Sequence, residues 1–205
     1  MIFLKNNSKI LTLLKSDASI ELAFQLILTQ KIGFNKEISQ ELRKHPYLCI
    51  KYGLETAYIS QLKKLYLTRL QLNEFPSEIL PIQGLTQLNL AHNQLDKLPP
   101  DIARFTQLEV LNLSANQFSV FPMEVLKLTK LKVLYLGNNQ LQCLPAEIKQ
   151  LSNLIALDLS HNPLGGMPKL ESLPKLKELV YQGNLMSKGA LAMVRQYLPN
   201  CEVYT

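Results

Sequence analysis

The chain has 205 residues, 47% of them hydrophobic, and a formal net charge of +6. That is enough to bury a sizeable core, and no run of about 18 apolar residues offers a membrane span. Cys49, Cys143 and Cys201 are few and far apart, which excludes a disulfide framework or a paired-cysteine metal site; with no apolar leader at the start, the expected location is cytoplasmic.

Residues 1–61 show no repeat and read as a helical N-terminal cap. Lys9 to Lys15 places Ile10, Leu13 and Leu14 on one face. Ser16 or Asp17 can cap a longer helix striped with Ile20, Ala23, Phe24, Ile27 and Leu28, ending at Gly33. Asn35 can cap a third, with Ile38 and Leu42 inward and Pro46 as its stop, and Tyr47 to Tyr52 can add a turn before Gly53. Eight basic and four acidic residues fall in positions 1–53, against fourteen and twelve in 54–205, so most of the excess charge lies in this region. Acids stand between the bases, which suits a solvated face better than a nucleic-acid groove.

From residue 62 to about 186 one pattern returns every 23 residues: L-x-x-L-x-L-x-x-N-x-(L/F)-x-x-(L/F/M)-P. Four frames are complete, with their asparagines at Asn93, Asn116, Asn139 and Asn162 and their prolines at Pro99, Pro122, Pro145 and Pro168. One frame earlier Leu70 replaces the asparagine, and one frame later the step shortens to 22 and ends at Asn184. In Leu-x-Leu both leucines face one side of a short extended segment. Such a segment is stable only beside its copies, so the frames must pair as a parallel sheet. The asparagine amide can satisfy peptide groups that no ladder reaches, predicting a column of Asn93, Asn116, Asn139, Asn162 and Asn184. Proline suits the start of a helical turn on the other side, with Ile102, Val125 and Ile148 turned inward.

These frames resemble the leucine-rich repeat family, of the intracellular 23-residue kind with an L-P-x-x-I step. The resemblance implies an α/β fold: a right-handed solenoid of about six repeats with a concave parallel β-sheet, closed by helical caps at both ends. It also implies a non-catalytic protein-binding adaptor or scaffold. At the C-terminus, residues 187–205 read as a cap, with a helix over Ser187 to Tyr197 and a closing strand from Cys201 to Tyr204.

The outward strand positions follow row by row. Lys64, Gln87, Val110, Val133, Ala156 and Glu178 form the first row, and Tyr66, Asn89, Asn112, Tyr135, Asp158 and Val180 the second. Arg69, His92, Ala115, Asn138, His161 and Gly183 precede the asparagine column. An exposed aromatic beside aliphatics has the make-up of a binding hot spot. The expected partner-binding residues are therefore Tyr66, Arg69, Asn89, His92, Val110, Asn112, Val133, Tyr135, Asp158 and His161, with Tyr135 as anchor. The expected partner is a protein, met by a monomer, with no membrane, small-molecule substrate or cofactor.

No catalytic or metal-binding residues are expected. His92 and His161 stand three strands apart, about 15 Å at a spacing of about 4.8 Å, and Asp158 with His161 lacks a recognisable nucleophile. Two alternatives remain: binding of nucleic acid or an anionic surface through the basic N-terminal region, and a structural or dimerising module. A small basic cluster, Arg104, Lys127, Lys130 and Lys132, is a second candidate for the former.

Overall fold

The leucine spacing that predicts short strands is realised in β1 to β6 of the seven strands among the described residues, β1 to β7: Lys64–Tyr66, Gln87–Asn89, Val110–Asn112, Val133–Tyr135, Ala156–Asp158, Glu178–Val180 and Glu202–Tyr204. The computed structural model describes residues 2–29, 33, 35–165, 170–185 and 198–205. The strands form one parallel sheet in chain order, and each pairs only with its neighbours in sequence. Register follows the 23-residue step, with Leu65, Leu88, Leu111, Leu134, Leu157 and Leu179 in one line and Val203 ending it. The six leucines are 1% exposed or less, as are the inner-row Leu67, Leu90, Leu113, Leu136 and Leu159. Tyr181 takes that row's last place, 1% exposed.

Between strands the chain returns through short 3-10 helices at Ser77–Ile79, Pro100–Arg104, Met123–Lys127, Ala146–Gln150 and Leu170–Ser172. Pro76, Pro99, Pro122 and Pro145 stand just before the first four, with φ between −70° and −74°. Proline already has this φ, and its missing N–H falls where a helical turn has no acceptor for one. Ile79, Ile102, Val125 and Ile148 turn back into the core, all 1% exposed or less. The fold is thus an open α/β leucine-rich repeat solenoid, with its core between the sheet and these turns.

The asparagines close the exit from each strand. Asn116 Nδ2 donates to Leu90 O and Leu113 O, each at 3.0 Å, and its Oδ1 accepts from Leu95 N at 3.0 Å. Asn139 and Asn162 repeat this arrangement one and two frames on. Asn184 does so at the end, half-buried. Each amide joins its own turn to the preceding one, so it serves buried peptide groups that the ladder leaves over. Where Leu70 replaces the first asparagine, Asn93 Oδ1 accepts from both Leu70 N and Leu72 N.

A second column was hidden in the sequence. Arg69, His92, Ala115, Asn138, His161 and Gly183 all have φ between 51° and 72°. A left-handed residue other than glycine costs about 1–2 kcal/mol. The ladder holds them there: His92 N donates to Ser114 O, Ala115 N to Gly137 O, Asn138 N to Ser160 O and His161 N to Gln182 O.

The chain divides into two units, Met1–Leu62 and Lys63–Thr205. The first is built from helices α1 (Ile2–Leu14), α2 (Ile20–Thr29), α3 (Lys36–Leu42), α4 (Pro46–Lys51) and α5 (Thr56–Ile59). Its interior gathers Ile10, Leu14, Ala23, Phe24, Ile27, Ile38, Leu42 and Cys49, at the three- and four-residue steps that keep one helix face together. Three expectations need correction. The first helix begins at Ile2 rather than Lys9. Neither Ser16 nor Asp17 caps α2, because a turn intervenes in which Ser19 N donates to Ser16 O; Leu28, at the edge of its stripe, is 41% exposed. Pro46 opens α4 as its first residue rather than stopping α3, which already ends at Leu42. Asn35 does cap α3, its Oδ1 accepting from Ile38 N at 3.0 Å.

The closing strand is β7, paired in register with β6. The helix expected over Ser187 to Tyr197, and Pro168 of the last complete frame, lie outside the described residues.

Candidate functional site

Strand alternation turns one residue in two away from the leucines. The register lines these up as Lys64, Gln87, Val110, Val133, Ala156, Glu178 and Glu202, and as Tyr66, Asn89, Asn112, Tyr135, Asp158, Val180 and Tyr204. Tyr66 is 61% exposed, Tyr204 48% and Tyr135 37%. Val110 and Val133 are register neighbours, half-buried, and Tyr135 follows Val133 by two residues on the same face. The apolar middle of the face is thus contiguous. Arg69, His92 and His161 are exposed at the strand exits.

Three of the polar residues on this face also serve the backbone. Asn89 Oδ1 accepts from Ala91 N at 2.9 Å, Asn112 Oδ1 from Ser114 N at 2.9 Å, and Asp158 Oδ1 from Ser160 N at 2.8 Å. Such side-chain turns fix the rotamer and occupy one acceptor. The asparagine amides and the second Asp158 oxygen are the atoms left for a ligand. This i to i+2 pairing is common for Asn and Asp, and could have been anticipated from residue type alone.

Two glycines make room on the face. A Cβ on Gly137 would stand 2.7 Å from Ser160 Oγ and 2.9 Å from Asp158 Oδ2. One on Gly183 would come within 3 Å of the His161 ring, and Gly183 has φ +72°. The small residue in each case lets a side chain of the neighbouring turn lie flat.

Among the described residues, no three His, Cys, Asp or Glu side chains gather as a metal would need, and no helix is long and apolar enough to cross a membrane. Cys49 donates to Leu42 O, and burial pushes its thiol up to about 12. It is a packing residue rather than a nucleophile.

Several of the basic residues outside the face are engaged. Arg43 Nε lies 2.6 Å from Glu55 Oε2, Lys51 Nζ 2.6 Å from Glu21 Oε1, and Lys44 Nζ 2.8 Å from Glu41 Oε1. In the cluster on the repeats, Lys132 pairs with Glu109 at 2.9 Å, Arg104 with Asp101 at 3.9 Å, and Lys130 donates to Gln107. These partners reduce the free positive charge that a polyanion would need.

Residues 106–164 match the family described as Leucine rich repeat, 83–123 that described as Leucine Rich repeats (2 copies), and 153–176 a further Leucine Rich Repeat family. A leucine-rich repeat protein of Leptospira interrogans is similar at 38% identity with a TM-score of 0.66, over 71% of this chain and 38% of that one. An internalin from Listeria monocytogenes shares the fold at 21% identity, with a TM-score of 0.61 over 73% of this chain and 42% of its own. This chain spans less than half the length of either. No curated protein sequence matches it significantly. With the repeat in register, the asparagine ladder in place and the family matches over residues 83–176, the chain belongs to the leucine-rich repeat proteins.

Proposed function

We propose that the outer, concave face of the sheet binds a protein, and that the chain acts as a non-catalytic adaptor working as a single copy. Leucine-rich repeat domains are in general protein-interaction modules, which supports the class of function. One observation carries the choice of face: half-buried Val110 and Val133 and exposed Tyr135 stand together on a sheet whose other side is buried from β1 to β6. An aromatic anchor on a rigid platform loses little conformational entropy on binding. Asn89, Asn112 and Asp158, already fixed by their backbone bonds, present their remaining polar atoms without further ordering. Tyr66, Arg69, His92 and His161 supply the rim. The free thiols of Cys49, Cys143 and Cys201 suit a reducing compartment such as the cytosol.

The test is affinity capture with the wild type and the Val133→Ser/Tyr135→Ala double variant. A protein held by the first and lost by the second supports the reading. Identical capture by both would remove this face from consideration.

A further inference from the structure

The register that builds the outer face also sorts its charge. Lys64 and Arg69 are exposed at the β1 end. Across β2 to β4 the two outward rows are Gln87, Asn89, Val110, Asn112, Val133 and Tyr135, with no charge at all. Asp158, Glu178 and Glu202 follow on β5, β6 and β7. None of these five charged side chains has an ion-pair partner among the described residues, although Lys132 and Arg104 elsewhere on the repeats do.

The acidic end is also strained by its own register. Glu178 and Glu202 are direct neighbours on β6 and β7, about 5 Å apart at the strand spacing, and like charges so placed repel. Their negative field reaches beyond them. The Cys201 thiol is pushed up by burial first, then by Glu178 and Glu202. The Tyr204 phenol is raised by its hydrogen bond to Glu202 first, then by the Glu202 charge. Lys64 and Glu202 are six strand steps apart, roughly 29 Å, about three Debye lengths at 0.1 M salt. Each end therefore acts on a different part of whatever lies between them.

We propose that the occupant of this face is a polypeptide segment lying across the strands, basic where it meets β5 to β7, acidic where it meets β1, and apolar between. This rests on the protein-binding reading above and adds the chemistry of the partner. Its central side chain sits on Val110, Val133 and Tyr135, and its two ends neutralise charges that the chain leaves unpaired. Spanning the distance takes about 20 residues of helix at 1.5 Å each or about 9 of extended chain at 3.3 Å. A second copy of the chain, turned end for end, would also match charge with charge. Its central Val110 and Val133, however, are half-buried, as are those they would face. A narrow segment reaches that centre and a second sheet does not.

A phage-displayed library of random 20-residue peptides, selected on the full chain, tests this. Selections on Glu178→Lys/Glu202→Lys, Lys64→Glu/Arg69→Glu and Val133→Ser/Tyr135→Ala run in parallel. The expected wild-type winners carry Lys or Arg at one end, Asp or Glu at the other, and an apolar residue between. As synthetic peptides they lose about tenfold in affinity on either charge-reversed variant. On Glu178→Lys/Glu202→Lys, enrichment moves to peptides acidic at both ends. Winners without segregated charge, or affinities unmoved by charge reversal, overturn the proposed polarity and leave the binding face intact. No enrichment beyond that on Val133→Ser/Tyr135→Ala overturns the binding face itself. Sedimentation showing a wild-type dimer that Glu178→Lys/Glu202→Lys dissociates would assign the face to a second copy instead.

Discussion

The two faces of the same seven strands obey opposite rules. On the inner face the line runs Leu65, Leu88, Leu111, Leu134, Leu157 and Leu179, one residue type six times; on the outer face Lys64, Gln87, Val110, Val133, Ala156 and Glu178 stand beside them, five residue types in six places. Every copy of the repeat must fill the same space, so packing restricts the inner side chain to one shape. The outer side chain is constrained only by β geometry. Variation confined to one face is therefore where a particular ligand can be specified, and uniformity on the other is what keeps that face rigid.

Adjacent residues on one strand break or sharpen this contrast most directly. Leu134 is 0% exposed and Tyr135 37%, one residue apart on opposite faces. Leu134→Ala should cost about 3 kcal/mol, read as a melting temperature lower by roughly 6–12 °C. Asn116→Ala should cost a comparable amount, on the order of 3 kcal/mol, because it strips partners from Leu90 O, Leu113 O and Leu95 N together. Asn116→Asp should not rescue it, since a carboxylate cannot donate to two carbonyls. A melting temperature for Asn116→Asp equal to that of the wild type would show that the column is dispensable.

A smaller loss is expected at the glycine beneath His161. Gly183→Ala meets both a left-handed φ and the imidazole, and should cost about 1–2 kcal/mol. The additional variant His161→Ala should recover the part due to the ring and leave the backbone part, which thermal melts of the single and double variants separate.

Alkali tests the inner face from another direction. Burial pushes the Tyr181 phenol up to about 12, from an ordinary value of 10. The unfolded chain therefore ionises first and binds fewer protons than the folded one between these values. The stability that Tyr181 contributes is fully present below pH 10 and is lost as pH rises from 10 towards 12. Tyr181→Phe should flatten that fall in urea titrations at fixed pH.

How much of this was legible follows the same division. The 23-residue step placed the strands at Lys64–Tyr66 and its successors because a leucine one residue out of register would face solvent. Leu-x-Leu followed by Asn also indicated which rows look outward. The left-handed column was obscured because Arg69 and Ala115 are poor signals for that conformation, although His92, Asn138, His161 and Gly183 suit it. In the helical unit no repeat averages out local ambiguity. Pro46 reads equally as the end of one helix or the start of the next, and the outcome depended on α3 already having finished at Leu42. The segregation of charge became complete only with β7, whose pairing sets Glu202 beside Glu178.

The smallest effect on stability is expected where the largest effect on binding is proposed. Val133→Ser/Tyr135→Ala removes two side chains from an exposed sheet face without opening a cavity, because Leu134 and its neighbours fill the space beneath. The loss should be limited to β-propensity and cross-strand contact, about 1 kcal/mol in all, a melting shift of roughly 2–4 °C. A double variant that melts as far below the wild type as Leu134→Ala would mean that the outer row carries packing as well. Its loss of a partner would then say nothing about recognition. If the shift stays small, a lost partner can be ascribed to the missing surface, since the strand that carried Tyr135 still pairs with β3 and β5.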